Sequence, residues 1–271
     1  MVDEAMLNQA RADVDASIEI WRKLIGKRLG DVVDFAYVKG STLRKWESPL
    51  DYVPLISDVD IHVKTMAGRP LFTPDPEGFI AALGLTRLYE EMFKERRPEH
   101  LHIPRPQIVT MEEIEPGWVP HDPSSIVVLH GEVKPGMRRP DDEVRADDLA
   151  QLLELEHLLL ALPLRVVDRI GLEYYRIIRQ LCWRVSPTPV RLLSQRVDPD
   201  HVWGLNRTRV VELLDDYGFD DVSKHYRAYY MAGWDSFETR FQDDEAMRRT
   251  IEEAYWVLHK SWVHAQTLKN G

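Results

Sequence analysis

The chain has 271 residues, 44% hydrophobic and 30% charged, a composition that fits a folded globular protein of one large domain or two small ones. Lys and Arg number 35 against 45 Asp and Glu, a formal charge of −10 with no basic run, which disfavours nucleic acid as a partner and favours a cationic small molecule. The single cysteine, Cys182, excludes an intramolecular disulfide, and the longest apolar stretch is broken by charges and a proline, so no membrane span and a cytoplasmic protein are expected.

The polar, acidic N-terminus does not read as a signal peptide. Residues 4–29 read as a helix, with Ile18, Trp21, Leu24, Ile25 and Leu29 at helical spacing and Gly30 closing it. VDFAYVKG (33–40) reads as a strand ending in glycine, with a short helix or turn over 42–46. SDVDIHV (57–63) alternates strictly and reads as a second strand. A Pro/Gly-rich loop leads to a helix over 77–96, and strands are expected at 104–111 and 124–131.

A dense run of charge, proline and glycine near 135–145 marks a boundary. Beyond it five segments carry helical periodicity, the last around EAMRRTIEEAYWVLHKSWVHAQ. The expected class is therefore α+β: a small mixed-sheet domain over 1–138, then an all-helical domain over 139–271.

Asp-x-Asp occurs three times. Asp13 and Asp15 fall in the first helix, where positions two apart point about 200° apart around the axis and cannot share an ion. Asp198 and Asp200 flank Pro199 in an expected turn. Only Asp58 and Asp60 lie in an alternating strand, where residues two apart share a face. Val59, Ile61 and Val63 then face the core, and Asp58, Asp60 and His62 face away together.

Two carboxylates on one face repel each other, and a bound Mg²⁺ relieves that cost while keeping waters and substrate phosphates in its shell. The Gly40-Ser41 turn is the complement, because glycine lets backbone approach a phosphate closely. Together they describe a site for a metal-bound triphosphate.

A strand ending in Gly40-Ser41, followed on the next strand by Asp58 and Asp60, resembles the DNA polymerase β-like nucleotidyltransferase superfamily. Thr42, Arg44 and Ser57 add to the likeness. The helical second half is loosely similar in architecture to aminoglycoside nucleotidyltransferases. The resemblance implies that Ser41 and nearby backbone, with Gly40, Thr42 and Arg44, hold the nucleotide phosphates. It implies that Asp58 and Asp60 bind divalent metal, Mg²⁺, and that residues 1–138 form the nucleotidyltransferase-like domain.

Two departures stand out. Sixteen residues separate Ser41 from Asp58, longer than is usual in that superfamily, so ESPLDYVP is expected to loop around the rim of the site. The superfamily usually places a third carboxylate on a neighbouring strand, here PQIVTMEE. Gln107 occupies the expected position, and Glu112, Glu113 or Glu132 are the acids within reach; Glu112 is taken as the third catalytic residue beside Asp58 and Asp60.

Other signals read as structure. His100, His102, His121 and His130 lack zinc spacing. Arg176, Arg179 and Arg184 read as a salt-bridged helix face, and most helical-half tryptophans as core. The expected function is transfer of a nucleoside monophosphate from Mg-NTP, with ATP as donor, to a hydroxyl of a small, cationic acceptor. The alternatives are a protein- or tRNA-modifying transferase, and a nucleotide-binding or antitoxin-like module without catalysis.

Overall fold

The periodic N-terminal segment forms α1 (Glu4–Leu24), capped by the Asp3 carboxylate accepting from the Met6 N–H at 2.8 Å. It runs on into a π-helical turn, Ile25–Leu29. This and all that follows come from a computed structural model that describes residues 2–67, 69–111, 123–133 and 139–270.

The chain divides into two compact units. One comprises Met1–Arg44 with Ser57–Arg138, and the other Lys45–Ile56 with Arg139–Gly271. The first unit carries α1, β1 (Val33–Lys39), β2 (Val59–Thr65), α2 (Pro76–Arg96), β3 (Pro106–Thr110) and β4 (Val127–His130). The sheet order is β3-β2-β1-β4. β1 is antiparallel to β2 and β4, while β3 runs parallel to β2, as the crossover through α2 requires. The sheet is thus small and mixed, and the class is α+β.

The alternating pattern of β2 is realised: Val59 and Ile61 are fully buried and Val63 is 1% exposed. They share a face with Ala36 and Val38 of β1, also fully buried. α1 and α2 pack through Trp21 and Tyr89, whose rings lie 5.1 Å apart, and the Tyr89 hydroxyl reaches Ser17 Oγ and the Pro104 carbonyl. Asp13 is buried on the inner side of α1. It accepts from Arg97 Nε at 3.0 Å and from the N–H groups of Leu101 and His102 at 2.8 and 3.1 Å. One carboxylate thus holds three residues, Arg97, Leu101 and His102, of the connection from α2 to β3. Asp15 is exposed and ion-paired with Arg11.

The second unit holds α3 (Asp141–Leu153), α4 (Leu155–Val167), α5 (Glu173–Val185), α6 (Thr188–Ser194), α7 (Pro199–Gly204), α8 (Arg207–Asp216), α9 (Asp220–Glu238) and α10 (Asp244–Asn270). Several differ from the expectation: the periodic segment 149–162 is divided between α3 and α4 at Glu154, and the segment 165–185 between α4 and α5. The Asp198–Asp200 stretch is no simple turn, because Asp198 caps α7 by accepting from the His201 N–H. The body of α9 is not among the periodic segments; it holds three Tyr, two Ser, three Asp and one Gly, none of them a strong helix former. It is made by burial: Val222, Tyr226, Tyr229, Tyr230 and Trp234 recur at helical spacing and are at most 1% exposed.

The segment 45–56 differs most from the sequence reading. Instead of looping around a site rim it is part of the helical unit's core, with Tyr52 and Val53 fully buried. The Asp51 carboxylate accepts from the N–H groups of Glu47, Ser48 and Thr208 and from the Thr208 hydroxyl. Trp234 Nε1 and Arg207 donate to the carbonyls of Pro49 and Leu50. Arg179 donates to the carbonyls of Leu55 and Ile56 at 2.9 and 2.6 Å, so it holds backbone here and is not a solvent-facing charge. α9 admits the segment at Gly233, where a Cβ would lie 2.7 Å from Ile56 Cδ1. No helix among the described residues is long and apolar enough to cross a membrane.

Candidate functional site

The candidate site lies in the first unit, at the edge where β1 ends and β2 begins. Antiparallel pairing sets Lys39 opposite Asp60, so the end of β1 and the carboxylate strand meet by register. The next residue, Gly40, has φ +87° and ψ −160°, a conformation essentially reserved for glycine. The glycine is also needed for space, because a Cβ there would lie 2.7 Å from Asp60 Oδ2. The Asp60 carboxylate therefore rests directly on the turn.

Ser41–Leu43 is a single 3₁₀ turn in place of the longer element expected over 42–46. Ser41 and Arg44 are half-buried, and the Arg44 carbonyl accepts from Arg11 Nη1 of α1 at 3.0 Å. Thr42 is fully buried, with no hydrogen-bond partner for its hydroxyl. Of the four phosphate-binding residues that the resemblance implies, Thr42 thus presents no side chain to solvent.

Asp58 lies one residue before β2, not within it. It is turned toward the start of β3, where Arg105 grips it with two parallel bonds, Nε to Oδ1 at 2.9 Å and Nη2 to Oδ2 at 2.7 Å. The Val59 N–H donates to the Arg105 carbonyl at 3.0 Å and fixes the two backbones side by side. Parallel pairing then sets Gln107 beside Asp60. Arg105 was missed in the sequence because only the β2–β3 register brings it to Asp58. The Pro-Arg-Pro run before an apolar strand was its only local mark.

His62 follows Asp60 on the same face by register, but it is 7% exposed, its Nδ1 3.2 Å from the Tyr37 hydroxyl. It belongs to the packed part of that face and not to its polar edge. Glu112 and Glu113 lie outside the described residues. Glu132 is exposed, just after the turn that ends β4. Gln107 holds the expected position of a third carboxylate, and an amide cannot take a proton from an acceptor.

Among the described residues no group of three or more His, Cys, Asp or Glu is arranged to hold a metal. Mg²⁺ asks less of a protein in nucleotide sites, where one or two carboxylates suffice and phosphate oxygens and waters complete its shell. Asp58 and Asp60 fit that oxygen donor set. The fork of Arg105 on Asp58 shows that this carboxylate already faces a cation. His100 is bonded to the Arg97 carbonyl and His102 is buried beside Asp13.

No family model, curated protein or solved structure matches this chain.

Proposed function

We propose that the chain is a nucleotidyltransferase that moves a nucleoside monophosphate from a magnesium-bound nucleoside triphosphate, ATP first among them, to a hydroxyl of a small acceptor. The observation that carries this reading is the seating of Asp60 against Gly40 in its glycine-only conformation. It brings a glycine turn and a carboxylate strand together at one end of the two inner strands, as a phosphate chain and its metal need.

In that reaction the acceptor oxygen attacks the α-phosphorus. The bond from that phosphorus to the oxygen bridging to the β-phosphate breaks, and pyrophosphate leaves with the electron pair. The acceptor's proton passes to a base, for which Glu112 stands as the proposed residue. Magnesium, when bound, supplies charge stabilisation at the leaving pyrophosphate and makes the acceptor hydroxyl more acidic. Asp58 and Asp60 would hold it. Gly40 and Ser41 would orient the phosphates, and the net charge of −10 favours a cationic acceptor.

A second reading is a nucleotide-binding module without turnover. Gln107 beside Asp60 is the observation that favours it.

Thermal melting with ATP and MgCl₂, for the wild type and for Asp58→Asn with Asp60→Asn, tests the site. A ligand that binds only the folded chain raises the melting point. A magnesium-dependent rise that disappears in the variant supports the site, and release of pyrophosphate with a panel of aminated acceptors then separates transferase from binder. No rise with any of the common nucleoside triphosphates removes both readings.

A further inference from the structure

We infer that Arg105 is an exchangeable counter-ion: it neutralises Asp58 in the free protein, gives that carboxylate up to an arriving divalent cation, and turns to a phosphate of the nucleotide. This rests on the nucleotide-site reading above. The Asp58 side chain is 6% exposed, so as an anion it needs a partner. Arg105 supplies one through a two-bond fork that takes both carboxylate oxygens. The fork occupies the acceptor direction of each oxygen that faces β3, so a cation approaching from that side must displace it.

The arginine is built to release. Its side chain is 38% exposed, although the carboxylate that it holds is buried. Its backbone is fixed, with Pro104 and Pro106 on either side and its carbonyl bonded to Val59 N–H. The motion is therefore confined to the side chain. A guanidinium carries five N–H donors in a planar fork that matches phosphate as well as carboxylate, so the group released by metal is suited to what comes with the metal. The exchange keeps the charge of the buried carboxylate compensated throughout. It also makes cation binding weak until nucleotide offers Arg105 a new partner.

Isothermal titration of the full chain tests this with three probes: MgCl₂ alone, ATP in EDTA, and ATP with MgCl₂. The variants are Arg105→Met, which keeps an unbranched stem without the charge, and Arg105→Lys, which keeps the charge without the fork. Competition lowers apparent affinity by the fraction of open molecules, so a pair closed about nine times in ten weakens binding about tenfold. Wild type then binds MgCl₂ alone about tenfold more weakly than Arg105→Met, with Arg105→Lys between them. ATP in EDTA binds Arg105→Met more weakly than wild type. If Arg105→Met does not fold, Arg105→Lys carries the comparison. Equal MgCl₂ affinity in wild type and variants, with ATP and MgCl₂ together still bound, overturns the exchange and leaves the nucleotide site standing. No binding of any probe by any form removes the site and the exchange together.

Discussion

The carboxylate of Asp60 occupies the space that a side chain on Gly40 would need, 2.7 Å from an ideal Cβ. Gly40 also holds φ +87°, a conformation that costs other residues about 1–3 kcal/mol. Both effects oppose Gly40→Ala. The variant is expected to lose about 2–4 kcal/mol in urea unfolding of the first unit, strain and displacement combined. It also loses any melting-point rise with ATP and MgCl₂. Ser41→Ala, half-buried and without strain, costs less than about 1 kcal/mol. Equal stability of the two variants would show that the turn relaxes freely and that Asp60 is not held by it.

The Gly-Ser turn, the alternation of β2 and the helical second half were legible because they depend on local geometry. Val59, Ile61 and Val63 face the core as a period of two requires. Three things were not legible. Arg105 reaches Asp58 only through parallel pairing of β3 with β2, a contact between residues 47 positions apart. The stretch ESPLDYVP reads as a loop around the rim of the site, yet segment 45–56 is buried, with Asp51, Arg179, Arg207 and Trp234 anchoring it to distant helices. α9 has only middling helix propensity, and the burial of Tyr226, Tyr229 and Tyr230 by distant parts of its unit supplies the rest.

Asp51 is the polar centre of that buried segment, 1% exposed and accepting from four donors of Glu47, Ser48 and Thr208. Asp51→Ala leaves those donors unsatisfied in the interior, and a large loss of about 3–5 kcal/mol is expected. Thr208→Val removes one hydroxyl and costs about 1–2 kcal/mol. Tryptophan fluorescence during urea unfolding reads both, since Trp234 bonds to the same segment through the Pro49 carbonyl. A loss below 1 kcal/mol for Asp51→Ala, as little as ordinary surface changes cost, would mean that the segment is held by packing alone.

Gly233 and Ile56 form a size-matched pair. A methyl at 233 would meet Ile56 Cδ1 at 2.7 Å, with Val53 Cγ1 next at 3.3 Å. Gly233→Ala is therefore expected to cost about 1–3 kcal/mol through overpacking, despite alanine's better helix propensity. Ile56→Val deletes the Cδ1 atom and alone costs about 0.5–1.5 kcal/mol. Together the two changes should cost clearly less than their sum, because each removes the other's fault. Strict additivity in the double-mutant cycle would place the strain of Gly233→Ala elsewhere.

Acid should weaken the first unit in two separate windows, through Asp13 and His102. Burial pushes the His102 imidazole below its ordinary value of 6.5; Asp13 beside it opposes that shift, and His100 adds to it. Burial also tends to raise Asp13, but hydrogen bonds from His102 and Arg97 outweigh it and hold the carboxylate below its ordinary 3.8. For the histidine, the unfolded chain takes up the proton first. Its contribution is complete above pH 6.5 and falls as pH drops below that value. For the aspartate, the contribution is complete above 3.8 and is lost as pH falls through its lowered folded value. The melting point of wild type should therefore begin to drop between pH 7 and 5, ahead of any carboxylate effect. His102→Gln removes that titration and should flatten the profile in this window. Asp13→Asn should lower stability above about pH 4, where wild type keeps the charged partner of Arg97, and the two should converge as pH falls further and wild type loses the Asp13 contribution. A His102→Gln profile parallel to wild type from pH 7 to 5 would assign the loss to other groups.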